Sequence, residues 1–236
     1  MKPVTTACAA LTAWIVTAPV QASDDARPFK LTLGYYQYQD DQGQDVNVRW
    51  QRGGSHVWVG HYQDHSFGEQ SRAGADTSID VNNLVSVQPS LQVATSGFVG
   101  GSLNVQIGHA WYGLTGIGRT NLKPYFNLNF DPNDAVTLGG GHVFDNGQNW
   151  SLFVVRDNRL RTEQTDWHLT ARIPVGDDRL SLDLMRKSGE GDTGYVRNWA
   201  LSATWDFPRW FIRLARDPKQ GFSAQDAWRL SGGIRF

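Results

Sequence analysis

Trp228-Arg229-Leu230-Ser231-Gly232-Gly233-Ile234-Arg235-Phe236 closes the chain, and its period is two. Trp228, Leu230, Ile234 and Phe236 share one face, while Arg229, Ser231, Gly233 and Arg235 share the other. Such alternation belongs to a strand with one apolar and one polar side. It recurs in Arg179–Leu184, Trp167–Ile173, Asn198–Trp205 and Lys123–Phe130. No window sustains a 3.6-residue period, so helices do not organise the chain.

Turn formers separate these runs: 40–43, 52–54, 82–83, 131–134, 145–147, 175–177 and 206–208 carry Gly, Asn, Asp or Pro. The spacing predicts an all-β fold of about 14 strands, or 12, in a single domain over 23–236. Period two suits a soluble sandwich as well as a closed barrel, and two features decide. Trp50, Trp150, Trp167, Trp205, Trp210 and Trp228 sit near strand ends on the apolar face, as a membrane-interface girdle requires. In the C-terminal half long polar connections (156–166, 187–195, 217–226) alternate with tight ones near Gly176 and Pro208. Transmembrane barrels show that asymmetry, and because closure leaves no sheet edge in lipid, the reading is a closed antiparallel up-and-down transmembrane β-barrel. Two segments fit the alternation poorly: 112–120 reads as a long connection on the short-turn side, and 131–134 as a short one on the long side.

The first 22 residues read differently. Lys2, an apolar core from Ala7 to Thr17, then Val20-Gln21-Ala22 give the order of a secretory leader with cleavage after Ala22. Its apolar run is too short to span a bilayer. Cys8, the only cysteine, leaves with the leader, so no disulfide and no thiolate metal site is expected. The formal net charge is −1, which excludes a concentrated basic nucleic-acid face. No segment of the mature chain reaches 18 apolar residues, which excludes a helical membrane protein.

The ending Leu230–Phe236, an aromatic last residue after alternating apolar positions, resembles the terminal signal of Gram-negative outer-membrane proteins. That resemblance implies delivery to the bacterial outer membrane, with the barrel-assembly machinery and outer-membrane lipid as partners. In size the chain is similar to the small oligosaccharide-specific porins, but none of their solute-binding motifs is matched, and no functional residue is carried over.

Phasing each strand by its apolar face sends Arg49, Arg72, Lys123, Arg172, Arg179, Lys187, Arg213, Arg229 and Arg235 inward, with Tyr125, Asn127, His168, Asp76, Asp183 and Asp206. Of these, Arg49, Lys123, Tyr125, Arg172, Arg179, Asp183, Arg213, Arg229 and Arg235 are the expected pore-lining set. Arginine forks suit carboxylate or phosphate, so the leading expectation is a passive pore for small hydrophilic solutes, with anions favoured. A non-conducting structural or surface-interaction barrel is the second reading. A lipid-modifying hydrolase built on His61, Asp64, His65 and Ser66 is the third, because two imidazoles, a carboxylate and a hydroxyl lie close in sequence. A solvated polar loop is the simpler reading of that cluster and is preferred to a catalytic one. No cofactor, no metal and no nucleic-acid partner is expected. His109 and His142 read as girdle residues near the short-turn side, and Gly139-Gly140-Gly141 as a bulge or a close approach at the inner wall.

Overall fold

The computed structural model describes residues 27–129 and 131–236; the leader, its cleavage after Ala22 and Phe130 lie outside them. Fourteen antiparallel strands run in chain order: β1 Phe29–Tyr38, β2 Gln42–Arg52, β3 Ser55–Asp64, β4 Glu69–Thr77, β5 Val85–Ala94, β6 Phe98–Gly108, β7 Trp111–Thr120, β8 Ala135–Val143, β9 Asn149–Asp157, β10 Thr165–Val175, β11 Asp178–Gly191, β12 Gly194–Asp206, β13 Trp210–Asp217 and β14 Ala227–Arg235. A two-residue segment, Ile79–Asp80, continues β4 and pairs with β5.

Each strand pairs with its sequence neighbours, and β1 pairs with β14 from Lys30↔Arg235 to Tyr38↔Ala227. The seam is sealed at its end: Phe29 and Phe236 exchange both backbone hydrogen bonds at 2.9 Å, and their rings stack at 5.8 Å. No edge is left for lipid to expose. No described helix is long and apolar enough to cross a membrane.

Side-chain period two maps onto the wall. Along β14, Trp228, Leu230 and Ile234 are exposed outward, whereas Arg229 and Ser231 point in. The same order on β13 exposes Trp210, Ile212 and Leu214 and encloses Phe211 and Ala215. The six expected girdle tryptophans all face outward.

The two rims differ as well. At the rim holding Phe29 and Phe236, the connections are tight, for example Gly53-Gly54, where Gly53 takes the left-handed backbone (φ 54°) that L side chains avoid. The opposite rim carries the two longest connections, 121–134 and 218–226, together with 158–164 and several short turns. Both misfit segments are corrected here. Residues 111–120 form β7; Gly113 interrupts its outward face and Gly116 and Gly118 its inward face, which hides the alternation. The expected strand Lys123–Phe130 does not form: its described residues 123–129 belong to the long connection between β7 and β8. The expected long connection 187–195 is also shorter, since β11 and β12 continue to a turn at 192–193.

Candidate functional site in the lumen

Residues 121–134 fold into the barrel instead of arching over it. Leu122 takes a positive φ of 60° at the point where the chain leaves β7, at a cost of about 1 kcal/mol. Beyond it, Tyr125, Asn127, Leu128, Asp131, Asn133 and Asp134 are buried.

The segment is held from nearly every side of the wall. Gln70 on β4 donates through Nε2 to Phe126 O at 3.1 Å and accepts the Phe126 N–H at 2.7 Å, so one amide side chain substitutes for a strand neighbour. Gln220, in the β13–β14 connection, donates to Asn127 O at 3.2 Å, and Arg229 on β14 donates to Leu128 O at 2.8 Å. Asp131 meets His168 Nε2 at 2.7 Å, while His168 Nδ1 lies 3.0 Å from Asp183. Asp134 ties the far end by accepting from Thr120 and from Arg159 at 2.8 Å.

Rings complete the seat. Phe126 stacks on Tyr62 at 4.4 Å and touches Phe67 at 5.1 Å; Tyr125 stacks on Phe98 at 4.2 Å. Tyr36, Tyr38, Tyr62 and Leu128 form one interior apolar cluster around them. The half of the lumen nearer the long-loop rim is therefore narrowed by a segment with aromatic packing and backbone anchors.

The half nearer Phe236 has another character. Lys30, Arg49, Arg172, Arg179, Arg213 and Arg235 face the interior around Asp76 and Asp206. Asp206 lies 3.2 Å from Arg179 and 2.5 Å from Arg235. Arg213 donates through Nε to Thr204 Oγ1 at 2.8 Å, and the Lys30 ammonium sits 4.1 Å over the Phe211 ring. The Arg72–Asp45 pair at 2.6 Å and the His56–Asp76 pair at 2.7 Å complete the charged lining toward β2–β4. Gly139 and Gly141 belong to the inner wall: a Cβ at 139 would strike Phe153, and one at 141 would strike the Tyr112 ring.

Of the expected lining residues, Arg49, Arg172, Arg179, Asp183, Arg213, Arg229 and Arg235 lie on inward strand positions, while Tyr125 is enclosed by the inward segment. Lys123 is exposed near its entry. Phasing overlooked Lys30, although its alternation with Phe29 and Leu31 carries the signal. Gln70, Phe126 and Gln220 were also missed: their roles depend on a segment that repeats no strand pattern. Lys187 and Asp217 form a fully buried ion pair, and Asp166, equally buried, has neither carboxylate oxygen hydrogen-bonded.

His61, Asp64, His65 and Ser66 do not converge. His61 bonds Ser71 on the outer face at 3.0 Å, whereas Asp64 points inward, accepts from Tyr62 and caps the Phe67 N–H. The backbone N–H groups of His65 and Ser66 donate to Asp41. No described group of three or more His, Cys, Asp or Glu residues is placed to hold a metal. His142 packs against Trp111 at 4.2 Å and Phe144 at 4.4 Å on the outer wall near the tight-turn rim.

No protein-family profile and no curated protein sequence matches this chain. Among solved structures, the outer membrane protein Omp33 of Acinetobacter baumannii is similar, with a TM-score of 0.57 and 11% identity over 89% of this chain and 98% of that one. The NanC porin (TM-score 0.48, 10% identity, 88% of this chain, 100% of that one) and the KdgM porin (TM-score 0.44, 10% identity, 88% and 99%) are more distant in shape. Closure of β1 on β14, an apolar outer band, a polar interior and the likeness to Omp33 together give this chain the fold of a small, closed, 14-stranded antiparallel up-and-down β-barrel, the fold of that outer membrane protein.

Proposed function

We propose that the chain is an outer-membrane pore for small hydrophilic solutes, that it favours anions, and that residues 121–134 form its constriction. The carrying observation is the gathering of Lys30, Arg49, Arg172, Arg179, Arg213 and Arg235 around two carboxylates in the half nearer Phe236. In a bore with low-dielectric walls such a field raises the local concentration of anions, and salt weakens it as the Debye length contracts from about 10 Å at 0.1 M. Fourteen strands lie between the roughly 8 that leave room only for side chains and the 16 or more that leave an open channel. The inward segment therefore sets the remaining width. A second reading, a barrel that does not conduct, draws support from the number of anchors on that segment.

Planar-bilayer recordings under a KCl gradient test both readings. Stable steps with an anion-selective reversal potential are expected, and replacing Arg172 and Arg213 with Gln should move that potential toward cations, most at low salt. A conducting double variant of unchanged selectivity refutes the anion pathway, and a folded, silent wild-type protein favours the second reading. No hydrolase is proposed, because His61 and Asp64 point to opposite sides of the wall.

A further inference from the structure

Arginines also point outward, and they cluster. Arg156 on β9, Arg186 on β11, Arg197 on β12 and Arg216 on β13 occupy exposed positions on the outer wall near the long-loop rim. The strand registers bring two of them, Arg186 and Arg216, beside tryptophans. Trp167, Arg186 and Trp199 lie directly opposite one another across β10, β11 and β12. Arg216 lies opposite Trp228 across β13 and β14. Around this side of the barrel arginines and tryptophans are thus interspersed on the outward face, Arg186 between Trp167 and Trp199 and Arg216 between Leu201 and Trp228, with Arg156 opposite Thr165. Arg186 sits 5.9 Å over the Trp199 ring, Arg216 5.3 Å over Trp228, and Arg197 6.0 Å over Tyr195. Among the described residues, none of the four guanidinium groups is within ion-pair distance of a carboxylate.

Depth decides what meets them. From Trp210 at the tight-turn girdle to Arg216 is six residues, about 20 Å along the strand and roughly 15 Å of height at a tilt near 40°. Within an apolar band about 25 Å tall, this places them above the apolar residues Leu182, Leu184, Leu201 and Leu214, with stems long enough to carry the guanidinium groups up toward the interface at the long-loop rim. Trp and Tyr mark the same level, since amphipathic rings settle at the headgroups. The basic row is one-sided. At comparable height β1, β3 and β4 present Gln37, His61, Gln63 and Ser71.

We infer that this wall, from β9 to β14, is a docking surface for the phosphate-bearing headgroup of an anionic lipid in the leaflet at the long-loop rim. The indoles pack against its upper acyl carbons or sugar, while the arginine forks take the phosphates bidentately. Charge complementarity at membrane depth selects a lipid over a soluble anion. The inference rests on the long loops lying outside, and it is independent of whether the pore conducts.

Native mass spectrometry of the folded barrel in detergent, incubated with bis-phosphorylated lipid A, tests it. Wild-type protein should retain the lipid through detergent exchange, and a dephosphorylated lipid A should be retained at least tenfold less. Excess inorganic phosphate should not displace the lipid fully. The quadruple variant Arg156→Gln, Arg186→Gln, Arg197→Gln and Arg216→Gln should lose retention at least tenfold while keeping the heat-modifiable gel mobility of a folded barrel. If that variant does not fold, the pair Arg186→Gln and Arg216→Gln is read in the same way. Equal retention by a folded variant, or equal retention of the phosphate-free lipid, overturns the inference, as does complete displacement by inorganic phosphate.

Discussion

Releasing the inward segment tests the constriction most directly. Gln70→Ala removes two neutral hydrogen bonds to the Phe126 backbone, which contribute about 1 kcal/mol each. Phe126→Ala removes the ring that stacks on Tyr62 and touches Phe67, and for a half-buried aromatic with two ring partners about 2 kcal/mol is a fair measure. Together the double variant weakens the seated state by about 4 kcal/mol. At 1.4 kcal/mol per factor of ten, the ratio of released to seated segment then rises about a thousandfold. The anchors at Arg229, Gln220 and His168 persist, so the segment loosens without leaving the barrel. Single-channel recording should show more frequent and longer openings of larger conductance, and limited proteolysis should cut within 121–134 while the barrel keeps its folded mobility. A folded double variant with wild-type conductance and a protected segment would refute the reasoning, because 121–134 would then not set the width of the path.

Three further outcomes follow from the wall. Leu214→Arg puts a charge into the lipid-facing band at a half-exposed site and should cost about 2–4 kcal/mol in refolding titrations, whereas Ser202→Arg, inward and opposite Asp183, should cost far less; the reverse order would show that the faces are misassigned. Deleting Phe236 removes both backbone bonds to Phe29 and their ring stack, so the yield of heat-modifiable barrel in membrane fractions should fall, and an unchanged yield argues against this seam. At the β3–β4 connection, the Ser66 hydroxyl and the backbone N–H groups of Gln42, Ser66 and His65 hold the Asp41 carboxyl down at about 2. A folded-state pKa depressed below the unfolded value of about 3.9 stabilises at higher pH and loses that contribution as pH falls through about 2. Amide exchange at Ser66 should therefore stay slow down to about pH 3 and quicken near pH 2, and in Asp41→Asn it should be faster at neutral pH; unchanged exchange in that variant would remove the cap.

The wall was legible because its physics is local. Lipid outside and water or polar side chains inside impose period two on each strand, so Trp228–Phe236, Arg179–Leu184 and Asn198–Trp205 state their faces residue by residue. Strand β7 was harder, since Gly113 leaves an outward position and Gly116 and Gly118 leave inward positions without a side chain, although inward Tyr112, outward Ile117 and the register still fit. The inward segment misled for the opposite reason. Pro124-Tyr125-Phe126-Asn127-Leu128-Asn129 alternates like a strand, yet its environment is lumen on all sides, and consecutive residues such as Asn127 and Leu128 are both buried. Nothing in that run encodes partners as far away as Gln70 and Arg229, so the constriction emerged only from three-dimensional proximity. Asp131 shows the same limit: it sits in an ordinary Asp-Pro turn signal and becomes a contact of His168 only when the barrel closes around it.

The way residues 126–128 are gripped has a consequence for variation. Gln70, Gln220 and Arg229 take hold of the Phe126, Asn127 and Leu128 main chain, whose amide and carbonyl groups survive almost any substitution. Part of the route is thus written in the wall and not in the segment: these three main-chain grips would outlast a change of side chain at 126, 127 or 128, whereas the seats of Tyr125, Asp131 and Asp134 are tied to the residues themselves.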